Sequence, residues 1–492
     1  MCNPIKKAFF IPLLLLSSCL SMTEKEMAQN VINLPSLEQS VDHSLSSPYF
    51  SEGDWPEKEW WNIFHDEHLS SLIDFALQNN PSILAIKQRV ELARQNAKVV
   101  RSNLFPLVFF DFNETWQYLS KNGLYRTLND KIPLNANLVD LSLSFNYEFD
   151  FWSKNLNSFR SALGKAKADE AEEAQVELIT TTAVAQAYFA LKTNLKKKSL
   201  LQEITQIKKE IFDLQMLMQD KALFSRLVPL RGEEDVQDAE KLLVAIQDEV
   251  VIDKHLLNIL IGKGPDEDLY VDESLASLPR TLTLPTSLSL NLLSRRPDLM
   301  AQIWRVESLG NEVGVAKADF FPNINLVGLV GLESILYRTL FKESSKTQAL
   351  KPAINLPIFT AGAIRANVRA KKAEFDQAVY DYNEKILESS KEVADLMVFA
   401  QTVYEQKYLQ ENIVSEAKEL YDLVKLRYEK GLDNLITLYS SQLRFLEREL
   451  EDVTLLYNQY LASIRLIKSL GGGYISNYLP IKSDKVDTHD AQ

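Results

Sequence analysis

The sequence predicts a mainly α-helical fold with a membrane β part, built by internal duplication, and three observations predict it. The run from Arg296 to Pro322 is a near-copy of the run from Asn80 to Pro106, at a constant offset of 216 residues. Each copy is followed by segments in which apolar and polar residues alternate. Beyond those lie two stretches of 64 and 68 residues, Lys165 to Val228 and Ala363 to Lys430, that hold neither glycine nor proline.

The duplication comes first because it sets the organisation. Pro81 pairs with Pro297, Ala85 with Ala301, Arg89-Val90-Glu91 with Arg305-Val306-Glu307, and Val99 with Val315; both copies end on Phe-Pro, at Pro106 and Pro322. Further on the offset is 209, matching Arg160 with Arg369, Val184-Ala185 with Val393-Ala394, Lys221 with Lys430 and Gly262 with Gly471. The change of offset falls between Pro106 and Arg160, where loops can differ in length. A gapless repeat of this length describes one body made of two equivalent halves. The halves are expected at 55–270 and 285–475, with a short tail at 476–492.

The N-terminus sets the compartment. Lys6 and Lys7 precede an apolar run, Phe9 to Leu16, that is too short to span a bilayer. Leu16-Ser17-Ser18-Cys19 then resembles the bacterial lipoprotein signal. Cleavage would remove residues 1–18 and leave Cys19 as the attachment point of a covalent lipid, with no other cofactor expected. Leu20 stands in place of the aspartate that retains such proteins at the inner membrane, which points to the outer membrane. Residues 20–54 are Ser-rich and read as an irregular tether.

Composition excludes several classes. Loss of Lys6 and Lys7 takes the net charge from −13 to −15, which argues against nucleic acid as a partner. Cys2 leaves with the signal, so one cysteine remains and no internal disulfide can form. No other segment has eighteen consecutive apolar residues, so any crossing of the membrane must be made by strands. His65 and His68 flank Asp66-Glu67, but nothing downstream completes a metal site, and they read as a solvated loop. No nucleophile–base pair, phosphate loop or metal spacing suggests an enzyme.

Along the chain, Trp60-Trp61, Phe64, Leu69, Leu72-Ile73 and Ala76-Leu77 predict a short buried helix before the first repeat. Phe110, Phe112, Trp116 and Tyr118 then alternate with Asp111, Asn113, Thr115 and Gln117. A second run, Leu141 to Phe151, alternates strictly for eleven residues. That length and pattern suit a strand with one face in lipid and one in water. The second half offers Asn323 to Glu333 and Lys351 to Phe359, with Pro357 marking the strand end.

The glycine-free stretches predict helices of roughly 95–100 Å. Phe375, Val379, Tyr382, Ile386, Ser389, Val393 and Leu396 step by fours and threes, the packing period of a coiled coil. Each long helix is expected to turn near Ala222–Pro229 or Gly431–Asp433 and to return as a shorter helix ending at Gly262 or Gly471.

Four strands cannot close a barrel, and open edges cannot sit in lipid, so the strands must be shared between subunits. At this point motifs add to the periodicity. Arg295-Arg296-Pro297-Asp298, Ala318-Asp319-Phe320-Phe321-Pro322, Leu356-Pro357-Ile358-Phe359, Arg427-Tyr428-Glu429-Lys430-Gly431, Trp60-Trp61-Asn62-Ile63-Phe64 and Leu470-Gly471-Gly472-Gly473 resemble the TolC-like outer-membrane efflux channel lipoproteins. The resemblance implies a homotrimer with a twelve-stranded β-barrel and an α-barrel of twelve helices. It also implies two partners: a periplasmic adaptor (membrane fusion) protein and an inner-membrane transporter of the resistance-nodulation-division class. The alternative within the same architecture is an outer-membrane channel for type I protein secretion, which the lipidation motif disfavours.

The tips depart from the family's pattern. Tyr428 and Gly431 are retained, but Ser440 stands where the aperture aspartate is common. Ala222 replaces a usual glycine, and Val228 an aspartate that often latches closed tips. Asp433 and Glu429 are the candidates for an alternative acidic ring, and Leu432, Leu435 and Ile436 for an apolar closure.

Overall fold

A computed structural model describes residues 31–32, 35–276, 278–285 and 288–476. The leader, Cys19 and residues 477–492 lie outside the described residues. The first half contains α1 (Glu38–Leu45), β1 (Phe50–Gly53), α2 (Glu67–Asn79), α3 (Pro81–Ser102), β2 (Leu107–Tyr118), α4 (Leu124–Leu128), β3 (Asn135–Phe149), α5 (Lys154–Asp220) and α6 (Leu227–Leu260). The second contains β4 (Leu282–Pro285), α7 (Leu288–Arg295), α8 (Pro297–Ala318), β5 (Asn323–Ser334), α9 (Tyr337–Leu340), β6 (Lys346–Asn355), α10 (Ala363–Glu429) and α11 (Leu435–Ser469).

The repeat is visible to the residue. The helices α3 and α8, and the strands β2 and β5, are related at both ends by 216 residues; α5 and α10 are related at both ends by 209. The offset changes within the hairpins, where β3 has 15 residues and β6 has 10.

Local chemistry explains the joints. Asn80 caps α3, its Oδ1 accepting the Ser82 amide at 2.8 Å, and Pro81 occupies the first turn, where its missing N–H costs nothing. The Asn80 side-chain amide also donates to the Leu260 carbonyl at 2.7 Å, fastening the end of α6. Gly262 ends α6 with φ +86°, and a Cβ there would lie 2.7 Å from the Asn79 carbonyl. Its equivalent, Gly471, packs the same way on the Arg295 carbonyl, and Asn79 and Arg295 are themselves 216 residues apart. Both repeats therefore close on one joint.

The two long helices are 67 residues each, about 100 Å. α5 starts at Lys154, earlier than its glycine-free stretch, and runs through Gly164. That glycine lets α8 approach closely, so that the Ser161 and Ser308 hydroxyls meet at 3.0 Å. α6 folds back along α5, and α11 along α10 and α5.

The main core surrounds the middle of α5. A 3-10 turn at Trp60–Phe64 and α2 bury Trp60, Trp61, Phe64, Leu69 and Ile73 against Val184, Tyr188 and Phe189. Phe189 stacks on Tyr460 of α11 at 3.9 Å. Inside this core Lys192, 2% exposed, meets Asp66 at 3.2 Å and Asp272 at 2.8 Å, and the Tyr188 hydroxyl donates to Asp66 at 2.9 Å. Among the described residues no group of three or more acidic, cysteine or histidine residues is placed to hold a metal ion.

Three expectations are corrected. The tether of 19–54 does not stay irregular throughout, because residues 38–53 form α1 and β1, and β1 pairs in parallel with β4. Leu37, Val41 and Phe50 are buried there against Val393, Met397 and Tyr404 of α10; three apolar residues spread through a Ser-rich run made too weak a period to read. The fourth strand runs Lys346–Asn355 rather than Lys351–Phe359, with Pro352 tolerated on a strand at the sheet edge. The third correction is at the first hairpin, where the second strand starts at Asn135 and ends at Phe149.

Candidate functional site

Two regions position the chemistry: a four-stranded antiparallel sheet at one end of the long helices, and two helical turns at the other. The sheet order is β2-β3-β5-β6. Its register sorts side chains by face, because directly paired residues of neighbouring strands point the same way. Phe112, Leu141, Leu332 and Lys346 form one row, Phe110, Leu143, Val330 and Gln348 the next, and Val108, Phe145, Gly328 and Leu350 a third. Gly328 leaves room for the Phe145 ring. The opposite face carries Asn113, Asp140 and Glu333 in one row and Asp111, Ser142, Gly331 and Thr347 in another. There the Ser144 hydroxyl donates to Asp111 at 2.8 Å and the Asn323 amide to Glu148 at 3.0 Å.

Across these rows one face is thus apolar over β2, β3 and β5 and turns polar at Lys346 and Gln348 of β6, though not at Leu350, while the opposite face mixes polar residues with Phe109, Leu329 and Ala349. No helix among the described residues is long and apolar enough to cross a membrane, which leaves this sheet as the element patterned for lipid. Its outer strands, β2 and β6, present unpaired backbone edges. Where the sheet meets the helices, the Asp150 carboxylate accepts the Asn155 and Leu156 amides at 3.1 and 2.8 Å and caps α5. Trp152 stacks on Phe321 at 4.5 Å and donates its indole N–H to the Pro322 carbonyl at 2.8 Å. The Phe-Pro that ends the second repeat helix is an anchor at this junction.

At the far end the two turns share a backbone design. Gly431 (φ +71°) donates to the Tyr428 carbonyl at 2.9 Å, and Leu432 to the Arg427 carbonyl at 2.9 Å. Ala222 (φ +57°) donates to Gln219 at 2.8 Å, and Leu223 to Met218 at 2.9 Å. Both are Schellman closures, so Ala222 occupies the left-handed position that glycine fills without strain. Asn434 caps α11 by accepting the Thr437 amide at 2.8 Å; α6 has no side-chain cap.

The sequence-selected tip residues come together at this end. Tyr428, Glu429, Gly431 and Leu432 are exposed on the second turn, Asp433 and Ile436 are half-buried, and Ser440 is exposed on the next turns of α11. Ala222 is exposed and Val228 half-buried on the first turn. Asp433 is not a free acid, for Arg427 holds it at 2.7 and 3.3 Å, and that guanidinium keeps its carboxyl below the usual range. A second contact that sequence reading missed joins Tyr439 to Glu210, tying α11 to α5; hydrogen bonds from Tyr439 and Gln206 hold the Glu210 carboxyl low. Opposite charges six residues apart around a glycine turn were the available signal for the first. Nothing local signalled the second.

Comparison with known proteins agrees with this architecture. The model of the "Outer membrane efflux protein" family matches residues 72–260 and 288–472. The multidrug resistance outer membrane protein MdtQ of Escherichia coli O157:H7 is 30% identical over 476 residues, covering 95% of this chain and 98% of MdtQ. Among solved structures, the outer membrane protein VceC of Vibrio cholerae superposes with a TM-score of 0.75 at 26% identity, over 85% of this chain and all of VceC. The CmeC outer membrane channel of Campylobacter jejuni gives 0.78 at 23% identity, over 87% of this chain and 91% of CmeC.

Proposed function

The chain belongs to the outer membrane efflux protein family, and from that premise we propose that three copies form the outer-membrane channel of a tripartite efflux pump. It is a passive conduit for small toxic or amphiphilic compounds, without catalysis of its own. A periplasmic adaptor and an inner-membrane transporter of the resistance-nodulation-division class deliver the cargo. Cys19 carries the lipid that places the chain at the outer membrane.

The observation that carries the oligomeric reading is an imbalance between equivalent positions. Met300 of α8 is 0% exposed against α5, while Leu84, its equivalent on α3, is 45% exposed; Ala171 of α5 is 3% exposed, while Tyr380, its equivalent on α10, is 59% exposed. Within the chain α5 packs on α8, yet α10 has no packing of that extent on α3. The exposed members lack only a neighbour. A second copy supplies it, with α10 lying on α3 of the next chain as α5 lies on α8, and β6 pairing with β2 of the next chain as β3 pairs with β5. Three copies repeat four strands and four helices into two closed rings of twelve, and no strand edge is left in lipid.

The test is export. In a strain deleted for its outer-membrane channel but expressing the cognate adaptor and transporter, the chain should restore dye efflux, while the adaptor and transporter alone should not. Unchanged dye retention with the channel present at the outer membrane would contradict the reading.

A further inference from the structure

We propose that Arg89, Glu172, Arg305 and Asp381 form an alternating charge belt around the helical barrel, closed between chains where Asp381 of one chain receives Arg89 of the next. The inference rests on the trimeric reading and adds to it a specific inter-subunit contact.

Half of the belt is present in one chain. Arg89 of α3 and Arg305 of α8 are equivalent residues, and both ion-pair with the same carboxylate, Glu172, on the α5 helix between them. Arg89 also reaches Asp169 at 2.8 Å. The duplication carries Glu172 to residue 381, an aspartate, so the acid is kept along with the arginine. Asp381 is exposed on α10 and has no ion-pair partner among the described residues.

The same operation that puts α10 on the next chain's α3 turns the Arg305–Glu172 pair into an Arg89–Asp381 pair. Not every pair survives it. Lys154–Asp319 becomes Ala363 and Asn103, and Lys165–Glu312 becomes Glu374 and Asn96. Of these three ion pairs between α5 and α8, duplication preserves both charges only for Arg305–Glu172. The positions around it are larger on the unpartnered side and exposed: Ala171 is replaced by Tyr380 and Ser308 by Leu92. The unpartnered side is therefore an exposed surface centred on one opposite-charge pair, and a second copy of this chain offers both halves. Glu172 lies 18 residues into α5, roughly 27 Å from its sheet end. At that level α3, α5, α8 and α10 alternate around the ring, so acid and arginine alternate too.

A charge-reversal cycle on the full-length protein in detergent tests the contact. The readout is the rate at which labelled subunits exchange between complexes, with native mass measurement of each variant. Arg89→Asp and Asp381→Arg alone should each speed exchange about threefold, the scale of an exposed ion pair. The double reversal should return the rate toward that of the parent. If the parent is a trimer and the two effects simply add, the Arg89–Asp381 contact is wrong while the trimeric reading stands. A monomeric parent would overturn both. If Arg89→Asp fails to assemble, Arg89→Gln with Asp381→Asn completes the same cycle, and additivity there is equally decisive against the contact.

Discussion

Arg427 reaches around the second helical turn and grips both carboxylate oxygens of Asp433, at 2.7 and 3.3 Å. The first turn has Met218 and Phe224 at the equivalent positions, so only one of the two tips in each chain carries this clasp. A symmetric channel displays it once per subunit around the axis, as charges that cancel locally rather than as a bare acidic ring.

Ion selectivity at the tip should follow from that cancellation. Asp433→Asn leaves Arg427 unbalanced and should lower cation preference; Arg427→Gln leaves Asp433 unbalanced and should raise it. Reversal potentials in planar bilayers under a salt gradient report both. Because the Asp433 carboxyl is held low, the clasp persists above the ordinary aspartate range and weakens only as the pH falls through that lowered value. Ile436→Ala should raise open probability if apolar contact closes the aperture. Unchanged currents in all three variants would place the constriction elsewhere.

Ala222 and Gly431 hold the same left-handed backbone position, and the alanine there is strained by about 1 kcal/mol. Ala222→Gly should therefore slow hydrogen exchange in the first tip, and Gly431→Ala should speed it in the second. Opposite signs at the two tips are the signature; equal responses would show that the turns are not equivalent.

Lys192 is buried between Asp66 and Asp272, so Lys192→Met should cost about 3 kcal/mol by stranding buried acid. Asp66→Asn should cost less, since asparagine can still cap α2 and Lys192 keeps Asp272. Although burial pushes the Asp66 carboxyl up, the Leu69 amide, the Tyr188 hydroxyl and Lys192 hold it below the usual range. A depressed carboxyl stabilises the fold above the unfolded-state value near 4 and stops doing so as pH falls below it. The protection of the α2 amides, taken as exchange relative to its intrinsic rate at each pH, should be constant above about pH 5 and fall below about pH 4 in the parent, and the Asp66→Asn variant should lose that acid step.

Cys19→Ser should abolish lipid attachment and leave the channel able to assemble, because the sheet itself is patterned for the bilayer. Mass spectrometry of the mature N-terminus in parent and variant, beside trimer yield, checks both halves. An unmodified Cys19 in the parent would remove the lipid anchor from the account.

The sequence exposed what repeats and what has a period. The 216-residue offset appears in the structure as matching bounds for α3 and α8, and the stretches without glycine and proline as most of α5 and all of α10, although α5 also runs through Gly164. Alternation located the strands, but the ends of β3 and β6 depend on cross-strand pairing, which no single segment encodes. The α1–β1 segment was missed because β1 finds its partner, β4, more than two hundred residues away. At the tips, the position of Ala222 was legible through its equivalence with Gly431. Tyr439–Glu210 was not, since it joins two helices whose rotation about their axes is set by packing.

If one chain is a third of a closed channel, the detergent-solubilised full-length protein should have the mass of three chains, with no folded monomer beside it. A stable, folded single chain would mean that the edges of β2 and β6 need no partner, and would contradict the shared barrel.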